Sequence, residues 1–133
     1  QERRNADSLI SRCKTFAYGQ AVLARREANQ RGCEDALLLN TRGQLCSGTV
    51  ANLMVRRNGN WLTPPLSSGC LPGVMRGRAL TLGLVQEAEL ESDLRPDDEA
   101  ALINSLSCRP LIALNGLPRS LTDTERFWRN LLE

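Results

Sequence analysis

The sequence predicts an α+β fold, a mostly antiparallel sheet with helices packed on it, from three observations. Short apolar runs crowd residues 35–63 with turn residues between them. No helical pattern interrupts that stretch, so the βαβ alternation of a doubly wound sheet is absent there. Helical patterns flank it on both sides.

The first helix is predicted from about Tyr18 to Gln30. Phe16, Val22, Leu23 and Ala24 supply its apolar positions, Arg25, Arg26 and Glu27 a charged run, and Gly32 its C-terminal stop. Asp35 to Asn40 is a strand-like run closed by Thr41-Arg42-Gly43-Gln44, and Leu45 to Ser47 resumes it, which reads as a hairpin. Asn52 to Arg57 and Trp61 to Thr63 flank Asn58-Gly59-Asn60, whose residues tolerate positive φ, so a second hairpin follows.

After the Pro-, Ser- and Gly-rich loop Thr63 to Gly73, a helix is predicted from Val74 to about Glu87. Its start leaves backbone N–H groups free at the positive end of the helix dipole, an arrangement that suits phosphate, although most such starts bind nothing. An acidic turn near Asp97 leads to a strand from Ala100 to Asn104, and a further strand spans Leu111 to Leu114 before a turn at Asn115-Gly116. A terminal helix runs from Thr122, its cap, to Leu132, with Phe127, Leu131 and Leu132 inward.

With 133 residues, 41% of them hydrophobic, and a net charge of +2, the chain is expected to be one globular domain. The small charge excludes a strongly basic nucleic-acid binder, and Arg25-Arg26 and Arg56-Arg57 are expected on solvated faces. The five cysteines (Cys13, Cys33, Cys46, Cys70, Cys108) form no C-x-x-C pair, so neither a metal site nor a disulfide framework is expected. With no signal-peptide pattern and no membrane-length apolar run, the expectation is a cytoplasmic piece of a longer protein, with no membrane partner.

There is no histidine, which removes the commonest general base and metal ligand. Among the basic residues are sixteen arginines and a single lysine, Lys14. Arginine can replace lysine as a surface cation, but imine formation needs a primary amine that can lose its proton. Composition alone is also satisfied by a chance lysine in an arginine-rich chain.

The neighbouring residues add more. Gly32-Cys33-Glu34-Asp35-Ala36-Leu37-Leu38-Leu39-Asn40, Gly43, Gly48-Thr49, Asn52-Leu53, Thr63-Pro64-Pro65 and Leu71-Pro72-Gly73-Val74-Met75-Arg76 occur in an order that resembles the class IV aminotransferases. That family comprises branched-chain aminotransferases, D-amino acid aminotransferases and 4-amino-4-deoxychorismate lyases. The resemblance extends from about Asp7 to Asn115. It implies the C-terminal domain of a fold-type IV enzyme, a pseudo-barrel sheet with packed helices, with the N-terminal domain absent from these residues. It also implies pyridoxal 5'-phosphate as cofactor, a small-molecule substrate, and a homodimer of the full-length protein.

Carried over by position, the resemblance makes Lys14 the Schiff-base residue. Leu71 packs on the cofactor ring, Val74 and Met75 give backbone N–H groups to its phosphate, and Ser105 adds a hydroxyl contact. The Ser105-Leu106 backbone meets substrate or phosphate oxygens. Ser105 as a plain strand-end residue, and Tyr18 as core packing rather than pocket wall, remain open alternatives.

One position departs from the family pattern. Where a glutamate usually pairs with the pyridine nitrogen, Leu45-Cys46-Ser47-Gly48 places Ser47. A carboxylate keeps the ring nitrogen protonated, whereas a hydroxyl only shares a neutral hydrogen bond. An elimination whose product becomes aromatic needs less electron withdrawal, so Ser47 points to the lyase branch, which forms 4-aminobenzoate for folate synthesis. A branched-chain or D-amino acid aminotransferase is the alternative within the family, and a non-catalytic binding domain the alternative outside it.

Overall fold

The computed structural model describes residues 2–14, 19–120 and 123–133. Among the described residues, nine short strands and three α-helices follow in order: α1 (Gly19–Gln30), β1 (Leu38–Leu39), β2 (Leu45–Ser47), β3 (Asn52–Arg57), β4 (Asn60–Thr63), α2 (Val74–Thr81), β5 (Gln86–Glu87), β6 (Glu99–Ile103), β7 (Cys108–Pro110), β8 (Ala113–Leu114), β9 (Leu117–Pro118) and α3 (Thr124–Leu132). Strands β1 to β7 form one sheet, and β8–β9 form a separate hairpin. Within the large sheet every pairing is antiparallel except β4 with β5.

β3 organises the sheet. One edge carries β6 in register from Asn52↔Ile103 to Arg56↔Glu99. The other edge is shared, with β2 at Ser47↔Asn52 and β4 from Val55↔Leu62 to Arg57↔Asn60. The two-residue turn that joins β3 to β4 has φ 51° at Asn58 and 80° at Gly59, the backbone that an Asn-Gly pair adopts most readily.

Side chains alternate across β3, so it feeds two cores. Leu53 and Val55 pack with Leu45, Leu90, Leu94, Ala100 and Leu102 on one face. Met54 packs with Ala79, Val85, Ile103, Phe127 and Leu131 on the other, under α2 and α3, with Trp61 4.7 Å from Phe127 between ring centroids.

Several boundaries differ from the sequence prediction. α2 stops at Thr81 instead of reaching Glu87, because Gly83 takes φ +72° and turns the chain, buries Val85 and lays Gln86–Glu87 beside β4. The strand predicted over Ala100 to Asn104 is Glu99–Ile103, since Asn104 folds back into a turn. Of the strand predicted over Leu111 to Leu114 only β8 (Ala113–Leu114) forms, pairing with β9 through the predicted Asn115-Gly116 turn, while β7, which pairs with β6, ends before it at Pro110.

In α3, Phe127 and Leu131 are buried as predicted, but Leu132 lies about 100° further round the helix and is 61% exposed. Asp123 caps that helix, accepting from Arg126 N at 2.9 Å; Thr122, the predicted cap, lies outside the described residues, as do Phe16 and Tyr18. α1 buries Ala24 and Ala28, while Val22 and Leu23 face out.

Arg57 is not on a solvated face. Its guanidinium grips Asp98 through Nε at 2.9 Å and a terminal nitrogen at 2.7 Å, and the Asp98 side chain is 2% exposed. All five cysteines are free, and the described residues hold no metal-binding cluster of His, Cys, Asp or Glu. Among the described residues, no helix is long and apolar enough to cross a membrane.

Candidate active site

Three of the segments singled out in the sequence meet around one residue, Asn52. It opens β3 and is 6% exposed. On one side its register partner is Ser47, the last residue of β2, itself 6% exposed. On the other its partner is Ile103, two residues before Ser105. Its side-chain Nδ2 donates to the carbonyl of Leu71 at 2.9 Å. The Ser47 hydroxyl, the Ser105 turn and the start of α2 are therefore all fixed to the same point of the sheet.

The start of α2 is built to leave donors free. Gly73 is its N-cap, with extended backbone (φ −62°, ψ 147°), and no side chain caps the first turn. The opening N–H groups of a helix have no intrahelical partner, and the dipole places positive potential on them. Val74 is 75% exposed, so this end is open to solvent. Further along the helix, Arg76 is 3% exposed and anchors it, donating to Pro64 O at 2.9 Å and pairing with Glu87 at 2.8 Å.

At the Ser105 end, Asn104 Oδ1 accepts from Leu106 N at 2.9 Å and Ser107 N at 3.1 Å, while Asn104 N donates to Ser107 O at 3.0 Å. The turn presents Ser105 to solvent and leaves the Leu106 side chain 89% exposed. Because the Leu106 N–H is already taken by Asn104, this turn offers the Ser105 hydroxyl and N–H more readily than the backbone of Leu106.

Lys14 is exposed and follows a short 3-10 turn, Leu9–Arg12. That turn is tied to the loop before α2: Arg4 donates from Nε to Gly69 O at 3.0 Å and from a terminal nitrogen to Ser11 O at 2.8 Å. Lys14 thus lies only three residues from a carbonyl held by the same guanidinium that holds Gly69. On its other side, α1 presents Ala21, Val22 and Arg25 to Thr49 and Val50 across a shallow groove, next to the Ser47 strand end.

The loop Ser68 to Leu71 is fixed from beneath. Ser68 O accepts from Asn40 Nδ2 at 3.1 Å and from Cys46 Sγ at 3.3 Å. Burial, reinforced by neighbouring Cys70, pushes the Cys46 thiol up to about 12, so it stays protonated and serves as a donor rather than a nucleophile. After Ser47, the loop is clamped by Asp35, which accepts from Thr49 Oγ1 at 2.7 Å and pairs with Arg109 at 3.4 Å.

Sequence reasoning singled out Ser47, Leu71, Val74, Met75 and Ser105, but gave Asn52 no role. The signal was a polar residue opening an otherwise apolar strand. The donor set fits a phosphorylated ring: free helix N–H groups at one end, and at the other a buried hydroxyl suited to an uncharged ring nitrogen.

A model of the amino-transferase class IV family matches residues 1–113. The chain belongs to that family. It is 38% identical over 96 residues to a protein of Aquifex aeolicus named "Probable branched-chain-amino-acid aminotransferase", covering 71% of this chain and 30% of that one. It is 36% identical over 105 residues to the aminodeoxychorismate lyase of Saccharomyces cerevisiae, covering 67% and 28%. The fold superposes on a crystal structure from Legionella pneumophila named "Putative 4-amino-4-deoxychorismate lyase" with TM-score 0.85 and 27% identity, over 99% of this chain and 51% of that one. The class IV chain thus spans about half of that solved structure and under a third of the two curated relatives.

Proposed function

We propose that this class IV chain is the C-terminal, lysine-bearing part of a pyridoxal-phosphate lyase that converts 4-amino-4-deoxychorismate to 4-aminobenzoate and pyruvate. The observation that carries the choice of reaction is Ser47, a buried hydroxyl where the family pattern has a glutamate. The bound cofactor supplies an electron sink for the carbon that carries the substrate amine. Ser47 leaves that sink weaker than a carboxylate would, and a reaction that gains an aromatic ring tolerates the loss.

The chain's residues divide the work. Lys14 would hold the cofactor through its side-chain amine and would move protons as base and then as acid. Leu71 packs on the ring. The N–H groups of Val74 and Met75, with the Ser105 hydroxyl, hold the phosphate. Leu106 lines the rim toward the substrate. The substrate's atoms are all accounted for in the two products, with neither water nor an oxidant consumed. The reading carries with it a homodimer of the whole protein, a cytoplasmic setting and a pocket completed by residues beyond these 133.

The test is the absorbance spectrum of the whole protein with pyridoxal phosphate, then borohydride reduction and peptide mapping. An imine band with the reduced adduct on Lys14, both lost in Lys14→Ala together with pyruvate release, is the expected result. Normal turnover in Lys14→Ala would sink the assignment, and the absence of any adduct would favour a non-catalytic binding domain.

A second reading, a branched-chain or D-amino acid aminotransferase, is favoured by the Aquifex relative. It predicts that an amino-acid donor converts the cofactor to its amine form, whereas the lyase reading predicts pyruvate release without that form.

A further inference from the structure

We infer that Asn52 and Gly73 form an interlock that sets the distance between the two ends of the cofactor site, making Asn52 a positioning residue for phosphate binding. The inference rests on the pyridoxal-phosphate reading above.

The short stretch Leu71-Pro72-Gly73 connects the sheet to α2, and Leu71 O is its knot. That carbonyl accepts from Gly73 N at 2.8 Å and from Asn52 Nδ2 at 2.9 Å. The rest of α2 is pinned separately, by Arg76 to Pro64 and Glu87 and by Arg78 Nε to Leu131 O. Asn52 therefore holds the end of the helix that carries the free donors.

Asn52 is also the register partner of Ser47. Directly opposed residues of an antiparallel pair stay within about 5.5 Å between Cα atoms. One side chain thus links the strand position expected beside the ring nitrogen to the helix turn expected around the phosphate. If the reach between those ends changed, a rigid ring with a phosphate arm would satisfy one end at the expense of the other.

Gly73 is the other half of the device. Its backbone (φ −62°, ψ 147°) suits any residue, so conformation does not require glycine here. Space does: a Cβ on Gly73 would collide with Asn52 Oδ1 and stand 3.4 Å from its Cγ. The amide and the bare Cα fit together, and a methyl group at residue 73 would expel the side chain that fixes Leu71.

The experiment is a double-mutant cycle on the whole protein with Asn52→Ala, Gly73→Ala and the double variant. Dissociation constants are measured for pyridoxal phosphate and for pyridoxal, which lacks the phosphate, and the borohydride adduct is mapped in the wild type. Asn52→Ala is expected to weaken pyridoxal phosphate about tenfold, the scale of one well-placed hydrogen bond. Gly73→Ala is expected to do the same, and the double variant no worse than Asn52→Ala alone, because each removes the same constraint. Pyridoxal affinity should stay within about twofold throughout, a separation that general loss of folding would not produce.

Unchanged pyridoxal-phosphate affinity in the single variants, losses that multiply in the double variant, or equal losses for both ligands would each overturn the interlock while leaving the cofactor reading intact. If Asn52→Ala fails to fold, Gly73→Ala alone decides by the same phosphate-specific loss. A wild type that forms no adduct would overturn the cofactor reading and the interlock with it.

Discussion

Ser47 and Asp98 are both buried polar residues held by the same sheet, yet their surroundings give them opposite tasks. Burial alone would raise the Asp98 carboxyl, but the Arg57 hydrogen bonds, the Arg95 backbone N–H at 2.8 Å and the charges of Arg57 and Arg95 outweigh it and hold the carboxyl below its usual range. Its contribution to stability is therefore complete above the ordinary carboxylate value, about pH 4, and is lost as pH falls through the lowered one. Removing the guanidinium leaves a buried charge unpaired, so Arg57→Ala should cost about 3 kcal/mol in urea unfolding at pH 7. The gap from wild type should narrow at pH 3. Ser47 has no comparable ion pair, so Ser47→Glu should destabilise the cofactor-free protein by about 2 kcal/mol. On the reading given above, it should also raise the amino-donor half-reaction relative to pyruvate release. A variant equal to wild type in both respects would remove Ser47 as the determinant of reaction type.

Elements were legible in the sequence where local chemistry decided them. The β3–β4 hairpin followed from Asn58-Gly59, which takes the required positive φ values, and the start of α2 followed from the Pro-Gly loop before it. The end of α2 was not legible, because Leu82 to Glu87 continues with helix-compatible residues and only Gly83 resists. Its φ of +72° redirects the chain so that Val85 reaches the core, a gain that exists only once the sheet and α3 are in place. A paired substitution separates the two effects. Gly77 lies inside α2 with open space around its Cα, so Gly77→Ala should stabilise by about 0.7 kcal/mol, whereas Gly83→Ala should destabilise by about 1 kcal/mol. Thermal unfolding of both variants checks the pair, and shifts of the same sign would contradict the assigned end of the helix. The candidate site was legible only in part. Ser47 and Val74 stand in recognisable sequence contexts, but Asn52 acquires its role only through contacts with Leu71 and Gly73, nineteen and twenty-one residues away.

For the whole molecule, the two cores account for the buried faces of the sheet but leave large apolar side chains outside them. Leu9, Ile10, Val74, Leu106 and Leu117 are each at least 70% exposed, and Val22 and Val50 border the groove beside the Ser47 strand end. Single exposed apolar residues are ordinary on a protein surface, but several large ones, Val74 and Leu106 at the proposed site among them, suit a surface covered by more protein. The 133 residues alone should therefore self-associate as concentration rises, read by sedimentation velocity, and should bind an apolar dye more strongly per chain than the whole protein does. Leu106→Asp and Leu117→Lys together provide the control. Neither side chain belongs to a buried core cluster, so unfolding free energy should change by no more than about 0.5 kcal/mol while self-association falls. Self-association that persists in the double variant would move the contact surface elsewhere, and a large loss of stability would mean that these residues pack against the fold. A 133-residue chain that stays monomeric and binds no dye would leave the exposed apolar residues as ordinary surface.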